Sequence, residues 1–340
     1  MSDVVRLVRA DQPPLPPLLG VSIAMRRVVA LGRQFAPTAL PILIVAPTGC
    51  GKELLTQHIH YWSGRMGELV DINCAALPEH LIESELFGHD AQAFTGARQA
   101  KPGLIEVAHS GTLFLDEISS LPLLLQPKLL RVLETGEVRR VGETAKRRVN
   151  VRVVAAAQED LGDRMTAGAF RRDLCQRLAG VVLVVPPLAE RAEDVVPLAA
   201  HFCALHGRRL EAGTEQVLAS YPWPGNVREL RQVIDRAACL SDDPVLSIAA
   251  VCEAIDAGAL VLRPSGADAN GSDAHPETDR RQLIALCDAH GYDAQRIAAA
   301  LGIGRTALFE RFKAVGLSLR ALRKSGKSAN LRRTFRTSGS

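Results

Sequence analysis

The residues best placed to do chemistry lie in two clusters. The first is Ala46-Pro47-Thr48-Gly49-Cys50-Gly51-Lys52-Glu53, which follows the apolar run Ile42–Val45 and precedes a helical pattern from Leu54. Gly49 and Gly51 let backbone N–H groups turn inward around phosphate oxygens, and Lys52 adds a point charge for the outer phosphates. The following helix presents its positive end to the same anion. Two positions depart from the general phosphate-loop pattern: Ala46 stands where the first glycine is usual, and Glu53 where Ser or Thr is usual. The second cluster is Gly111-Thr112-Leu113-Phe114-Leu115-Asp116-Glu117, an apolar strand ending in two acids. A strand-end Asp such as Asp116 can hold Mg²⁺, and the adjacent Glu117 can orient and deprotonate a water that attacks a γ-phosphate. Together the two clusters point to a phosphate-loop ATPase using ATP and Mg²⁺.

These clusters need a sheet to carry them. Between Gly20 and Pro187, β-branched runs alternate with helical patterns, at 42–45, 69–72, 113–115, 151–156 and 181–185. Continuous apolar strands separated by helices predict a parallel sheet covered on both faces. Residues 190–255 read as helices only, broken at Gly207 and at Pro222–Gly225. Residues 263–276 are turn-formers and small polar residues, and a last helical segment spans 279–316.

The 340 residues favour two or three domains, and 47% hydrophobic with 23% charged residues is ordinary globular composition. Aromatics are 4%, so the cores must be aliphatic. No stretch approaches the roughly 18 apolar residues of a membrane span, and residues 1–10 do not form a secretory signal. Seven cysteines without metal-ligand spacing fit a reducing cytoplasm. The net charge of +4 is unevenly placed. From Arg296 onward eleven Lys and Arg face Glu310 alone, a charge of +10 that leaves −6 for the residues before it. A polyanion partner at that end is the natural reading.

Residues 20–250 resemble the AAA+ domain of bacterial enhancer-binding proteins, the ATPases that activate sigma-54 RNA polymerase. The matching segments are GKE at 51–53, NCAALPEHLIESELFGH at 73–89, AFTGA at 93–97, GTLFLDEI at 111–118, FRRDLCQRL at 170–178 and WPGNVREL at 223–230. The resemblance implies a short lead at 1–19, an α/β ATPase subdomain at 20–187, a helical lid at 188–255 and a linker at 256–278. A small all-α Fis-type helix-turn-helix follows at 279–319, then a basic tail at 320–340. It further implies that Asn73 is the switch that holds Glu117 away from water, and that Arg171 and Arg177 are arginine fingers reaching a neighbouring subunit's nucleotide. Gln158 and Arg228 stand at the first and second nucleotide sensors. Gln92, Ala93, Phe94, Thr95, Gly96 and Ala97 would form the loop that touches sigma-54, with Phe94 and Thr95 at its tip.

In the helix-turn-helix, Leu283 and Leu286 share one face of the first helix, and Leu308 and Phe312 anchor the recognition helix. Arg305 and Thr306 would reach base edges of double-stranded enhancer DNA, and Arg311 and Lys313 its phosphates. The implied assembly is a homo-oligomeric ring, a hexamer by resemblance, or a mixed ring with a related activator. With about 20 residues ahead of the ATPase domain, the chain resembles the truncated phage-shock and Hrp-type members, whose control comes from a separate inhibitory or partner protein or from expression level.

The departures are specific. The signature's opening glycine is Gln92, the first sensor reads Ala156-Ala157-Gln158, and Ala189 stands where Arg follows Pro-Pro-Leu. They motivate an alternative reading, a DNA-binding regulator or co-subunit of a mixed ring with impaired remodelling. A general AAA+ ATPase such as a chelatase or loader is a third, and AFTGA argues against it.

Overall fold

The computed structural model describes residues 5–8, 15–93, 99–158, 161–240 and 243–262, together with Leu283, Cys287 and Ile297. Contacts divide the chain into a unit ending at Leu262 and a second from Arg263.

The first unit is built on a six-stranded sheet. Its strands are β1 (Val5–Val8), β2 (Ile42–Val45), β3 (Leu69–Asn73), β4 (Thr112–Asp116), β5 (Arg152–Ala157) and β6 (Val181–Val184), in the spatial order β1-β3-β4-β5-β2-β6. β2 to β6 are mutually parallel, as the apolar runs predict, because helical crossovers cover both faces. Alternate residues enter two cores. Leu43, Val70, Leu113, Leu115 and Val153 pack on one side; Ile42, Ile44, Phe114, Val154 and Leu183 pack on the other. β1 pairs antiparallel with β3, Val5 opposite Ile72. The isolated apolar residues near the N-terminus give no sign of this, because β-pairing to an existing sheet edge is a tertiary choice.

Helix α1 (Ile23–Phe35) starts at a Ser22 cap, whose side chain accepts from the Met25 N–H. Its C-terminal end is satisfied by a buried arginine of the sheet. Arg152 donates to the carbonyls of Thr38 and Phe35, and burial pushes its guanidinium down to about 10. α2 (Lys52–Ser63) follows the phosphate loop, and α3 (Glu79–Phe87) leads to a two-residue antiparallel pairing of Gly88–His89 with Lys101–Pro102. α4 (Gln126–Thr135) packs against α5 (Arg172–Leu178).

The lid comprises α6 (Val195–Leu205), α7 (Thr214–Ser220), α8 (Asn226–Leu240) and α9 (Ile248–Leu262). Its core holds Trp223 among Leu188, Leu218, Leu230, Ile234 and Val251, with the indole N–H donating to the Leu218 carbonyl at 2.8 Å. α9 corrects one boundary. The linker expected from residue 256 cannot begin before 263, because Ala254 and Ile255 are buried in the lid core where α9 packs against α8, and the helix they belong to continues to Leu262. In the second unit Leu283, Cys287 and Ile297 are helical and buried. Leu286 and the recognition-helix residues lie outside the described residues.

No helix among the described residues is long and apolar enough to cross a membrane.

Candidate nucleotide site

The phosphate loop is held from three directions. The Ala46 N–H donates to the Ala157 carbonyl at 3.0 Å, which ties the loop's start to β5. Gly49 has φ +81°, and a Cβ there would lie 2.4 Å from the Gly225 carbonyl oxygen of the lid, so only glycine fits. The lid also binds the loop directly. The Arg228 N–H donates to the Gly49 carbonyl at 3.2 Å, and the Asn226 side-chain amide to the Thr48 carbonyl at 3.0 Å. Asn226 and Trp223 both have positive φ, at 55° and 50°, so the Trp-Pro-Gly-Asn turn is strained where it meets the loop. Arg228, expected at the second sensor, is therefore beside Gly49.

Below the loop the charged residues converge. The Lys52 ammonium is buried, donates to the Ala46 carbonyl at 3.3 Å, and lies 3.9 Å from Asp116 Oδ1 and 4.0 Å from Glu117 Oε1. Burial pushes the Asp116 carboxyl up, Lys52 draws it back, and the charge of Glu117 raises it again. A half-buried carboxylate with a like charge beside it is suited to a cation. Among the described residues no group of three or more His, Cys, Asp or Glu could hold a metal by itself. Mg²⁺ in phosphate chemistry takes one or two carboxylates and the substrate's own oxygens, so Asp116 fits that role.

Glu117 sits at φ +54° directly after β4. Its carboxylate accepts a hydrogen bond from the Gln158 amide at the end of β5. Asn73, expected as the switch, has a different partner here. Asn73 lies opposite Asp116 in the sheet register, but its side-chain oxygen accepts from the Ala75 N–H at 2.9 Å, a local turn. The longer glutamine reaches Glu117 from the neighbouring strand, while the Asn73 oxygen bonds its own local backbone.

Sequence reasoning missed the cavity beside the loop. It has a volume of about 600 Å³ and is lined by Leu18, Leu19, Cys50, Arg191, His201 and Phe202 among others. Arg191 is 2% exposed, donates to the Cys50 carbonyl at 3.2 Å, and keeps a buried Nε with no partner. It lies 3.9 Å from Asp194, which accepts from the Val21 and Ser22 backbone and from the Ser22 hydroxyl. The segment before α1, the phosphate loop and the lid are thus joined around one cavity. The only sequence signal was the Arg-Ala-Glu-Asp run after Pro187.

The two arginines expected as fingers lie elsewhere in the chain. Arg171 precedes α5 and is exposed, paired with Asp173 through Nε–Oδ1 at 3.0 Å and Nη2–Oδ2 at 2.6 Å. Arg177 donates to the Leu133 carbonyl at the end of α4. Neither has a described bond to Lys52, Asp116 or Glu117. At the base of the expected sigma loop, Gln92 has φ +67°. Its neighbour Ala93 rests on Gly142, where a Cβ would lie 2.8 Å from the Ala93 methyl. Phe94, Thr95, Gly96 and Ala97 lie outside the described residues, as do Arg305, Thr306, Arg311 and Lys313.

Comparison with known proteins decides the family. Residues 18–184 match the Sigma-54 interaction domain, and residues 189–265 match the AAA+ ATPase lid domain. The alginate biosynthesis transcriptional regulatory protein AlgB of Pseudomonas aeruginosa is 41% identical over 304 residues, covering 87% of this chain and 67% of AlgB. The chain belongs to the sigma-54-dependent AAA+ transcriptional regulators. Another member of that family, the nitric oxide reductase transcription regulator NorR2 of Cupriavidus necator, is 48% identical over 229 residues. That match covers 65% of this chain and 44% of NorR2, so the chain spans less than half the length of that relative. The crystal structure of NtrX from Brucella abortus in complex with ADP superposes with a TM-score of 0.65 at 32% identity, covering 88% of this chain and 70% of NtrX. The α/β sheet with a helical lid is therefore the family's AAA+ fold, as the strand pattern and the resemblance predict.

Proposed function

We propose that this chain is a sigma-54-dependent activator that binds upstream double-stranded DNA and hydrolyses ATP to remodel sigma-54 RNA polymerase into the open complex. The observation that carries the reading is the convergence of Lys52, Asp116 and Glu117 beneath a glycine loop that the lid itself clamps through Gly225, Asn226 and Arg228. The nucleoside end of ATP fits the cavity between Leu18, Leu19 and Phe202, and the phosphates extend over Gly49 and Gly51. Lys52 neutralises the outer phosphates. Asp116 would hold Mg²⁺, which when bound neutralises charge on the phosphate oxygens. Glu117 orients the attacking water and takes its proton. Arg171 and Arg177 serve the nucleotide of the next subunit in a ring, stabilising charge on the transferring phosphoryl group. Gln92 to Ala97 carry the movement to sigma-54, and Arg305, Thr306, Arg311 and Lys313 hold the DNA.

Nucleotide binding and phosphate release in two variants test this. Lys52→Ala is expected to abolish binding of a fluorescent ATP analogue. Glu117→Gln is expected to bind it and lose hydrolysis. Equal hydrolysis by wild type and Glu117→Gln would remove the water-orienting role. One observation favours the second reading, a co-subunit of a mixed ring: a side chain at Gln92 in the left-handed region burdens the loop that must move.

A further inference from the structure

We infer that Gln126 is a positioning residue for the trans active site: it fixes the backbone from which Arg171 is offered to the neighbouring subunit. This rests on the reading of Arg171 as a finger.

Gln126 opens α4 and is 0% exposed. Its carboxamide makes three hydrogen bonds in the protein interior. The amide nitrogen donates to the Leu121 carbonyl at 2.9 Å and to the Ala169 carbonyl at 3.1 Å. The amide oxygen accepts from the Arg171 N–H at 2.8 Å. Both donor positions are used, and the acceptor bond is to the finger residue itself. One end of this tie belongs to the turn that follows Glu117. There the Ser120 N–H donates to the Glu117 carbonyl at 2.9 Å and the Leu121 N–H to the Ile118 carbonyl at 3.0 Å. The other end brackets Phe170, which is buried in the sheet-side core, leaving Arg171 to project into solvent. A single side chain therefore links the turn after the chain's own Glu117 to the arginine that serves another chain's nucleotide.

The chemistry is specific to glutamine. Glutamate at 126 turns an oxygen toward two carbonyl oxygens, and methionine keeps the volume but leaves two carbonyls and one N–H unpaired. Either change frees the 169–171 backbone without touching the phosphate loop. Misplacing a catalytic group by about 1 Å costs on the order of 100-fold in rate.

The test uses mixed rings of full-length chains. Gln126→Met is expected to keep nucleotide binding and lose roughly 10- to 100-fold in ATP turnover. Mixed with Lys52→Ala, which lacks a working phosphate loop but offers an intact finger, it should recover turnover, since about a quarter of interfaces in a random ring pair a sound site with a sound finger. Mixed with Arg171→Ala it should not recover, because both chains are defective in the same half of the interface. A general packing defect would not distinguish the two mixtures. If Gln126→Met does not bind nucleotide, Gln126→Glu replaces it in the same mixtures. Wild-type turnover in the Gln126 variant overturns the inference, as does failure to recover with Lys52→Ala when Arg171→Ala does recover with it. Failure of Arg171→Ala itself to recover with Lys52→Ala removes the finger reading, and the inference with it.

Discussion

Replacing Gln92 by glycine is expected to raise both the stability of the ATPase unit and its action on sigma-54. Gln92 holds φ +67° at the base of the loop that carries Ala93 onto Gly142. An L side chain in that region costs about 1–2 kcal/mol. Glycine removes this cost but adds freedom to the unfolded chain, which offsets about 0.4–1 kcal/mol. The net gain is about 0.5–1 kcal/mol, or roughly 1–4 °C in Tm for a unit of this size. Between two folded loop positions the unfolded chain does not enter. A loop conformation that needs positive φ then gains about 1 kcal/mol, near a fivefold change in population. Thermal unfolding reads the first effect. Sigma-54-dependent open-complex formation, measured beside ATP turnover, reads the second, with turnover little changed. Gln92→Ala retains a Cβ and should show neither gain. Strong open-complex formation that is the same in wild type, Gln92→Ala and Gln92→Gly would refute the reasoning.

Gln158→Ala is expected to lower kcat for ATP by roughly tenfold with little change in KM, because Glu117 loses the amide that orients it. Asn73→Ala, whose side-chain oxygen accepts from Ala75, should cost less; an equal or larger loss would support Asn73 as the switch. At Glu106, burial raises the carboxyl, but hydrogen bonds and charges from Arg140, Arg147 and the Gly103 N–H outweigh it and hold it below its ordinary value of 4.5. A depressed carboxylate stabilises the fold above its unfolded-state value, and that contribution is lost as pH falls through the folded one. Tm curves of wild type and Glu106→Gln should therefore lie apart near neutral pH and converge as pH falls from 4.5 through the lower folded-state value; parallel curves would contradict the pairing. Removing residues 279–340 should abolish upstream DNA affinity and leave ATP turnover largely intact. The affinity of the full chain should fall steeply with salt as phosphate contacts release counterions, and a salt-independent affinity would mean that the basic end does not touch the DNA backbone.

The sequence by itself determined the parallel sheet, the phosphate loop and the acidic strand end. Each is written in contiguous residues: β-branched runs need only backbone pairing and burial on both faces, and Ala46–Glu53 makes its anion cradle within one turn. The lid's helices were legible for the same reason, since periodicity is local, although the end of α9 was not. The linker was expected from residue 256, whereas Val251, Ala254 and Ile255 pack in the lid core and the helix runs to Leu262. Which amide bonds Glu117 in this structure was decided by tertiary structure. Asn73 and Gln158 both sit at strand ends near the site, and only the three-dimensional placement shows one amide engaged with Ala75 and the other with Glu117. The same holds for the cavity around Arg191 and for Gln126. Their partners lie 141 residues away at Cys50 and 45 residues away at Arg171, and a hydrogen bond between distant segments leaves no periodicity in the chain for a reader of sequence to find.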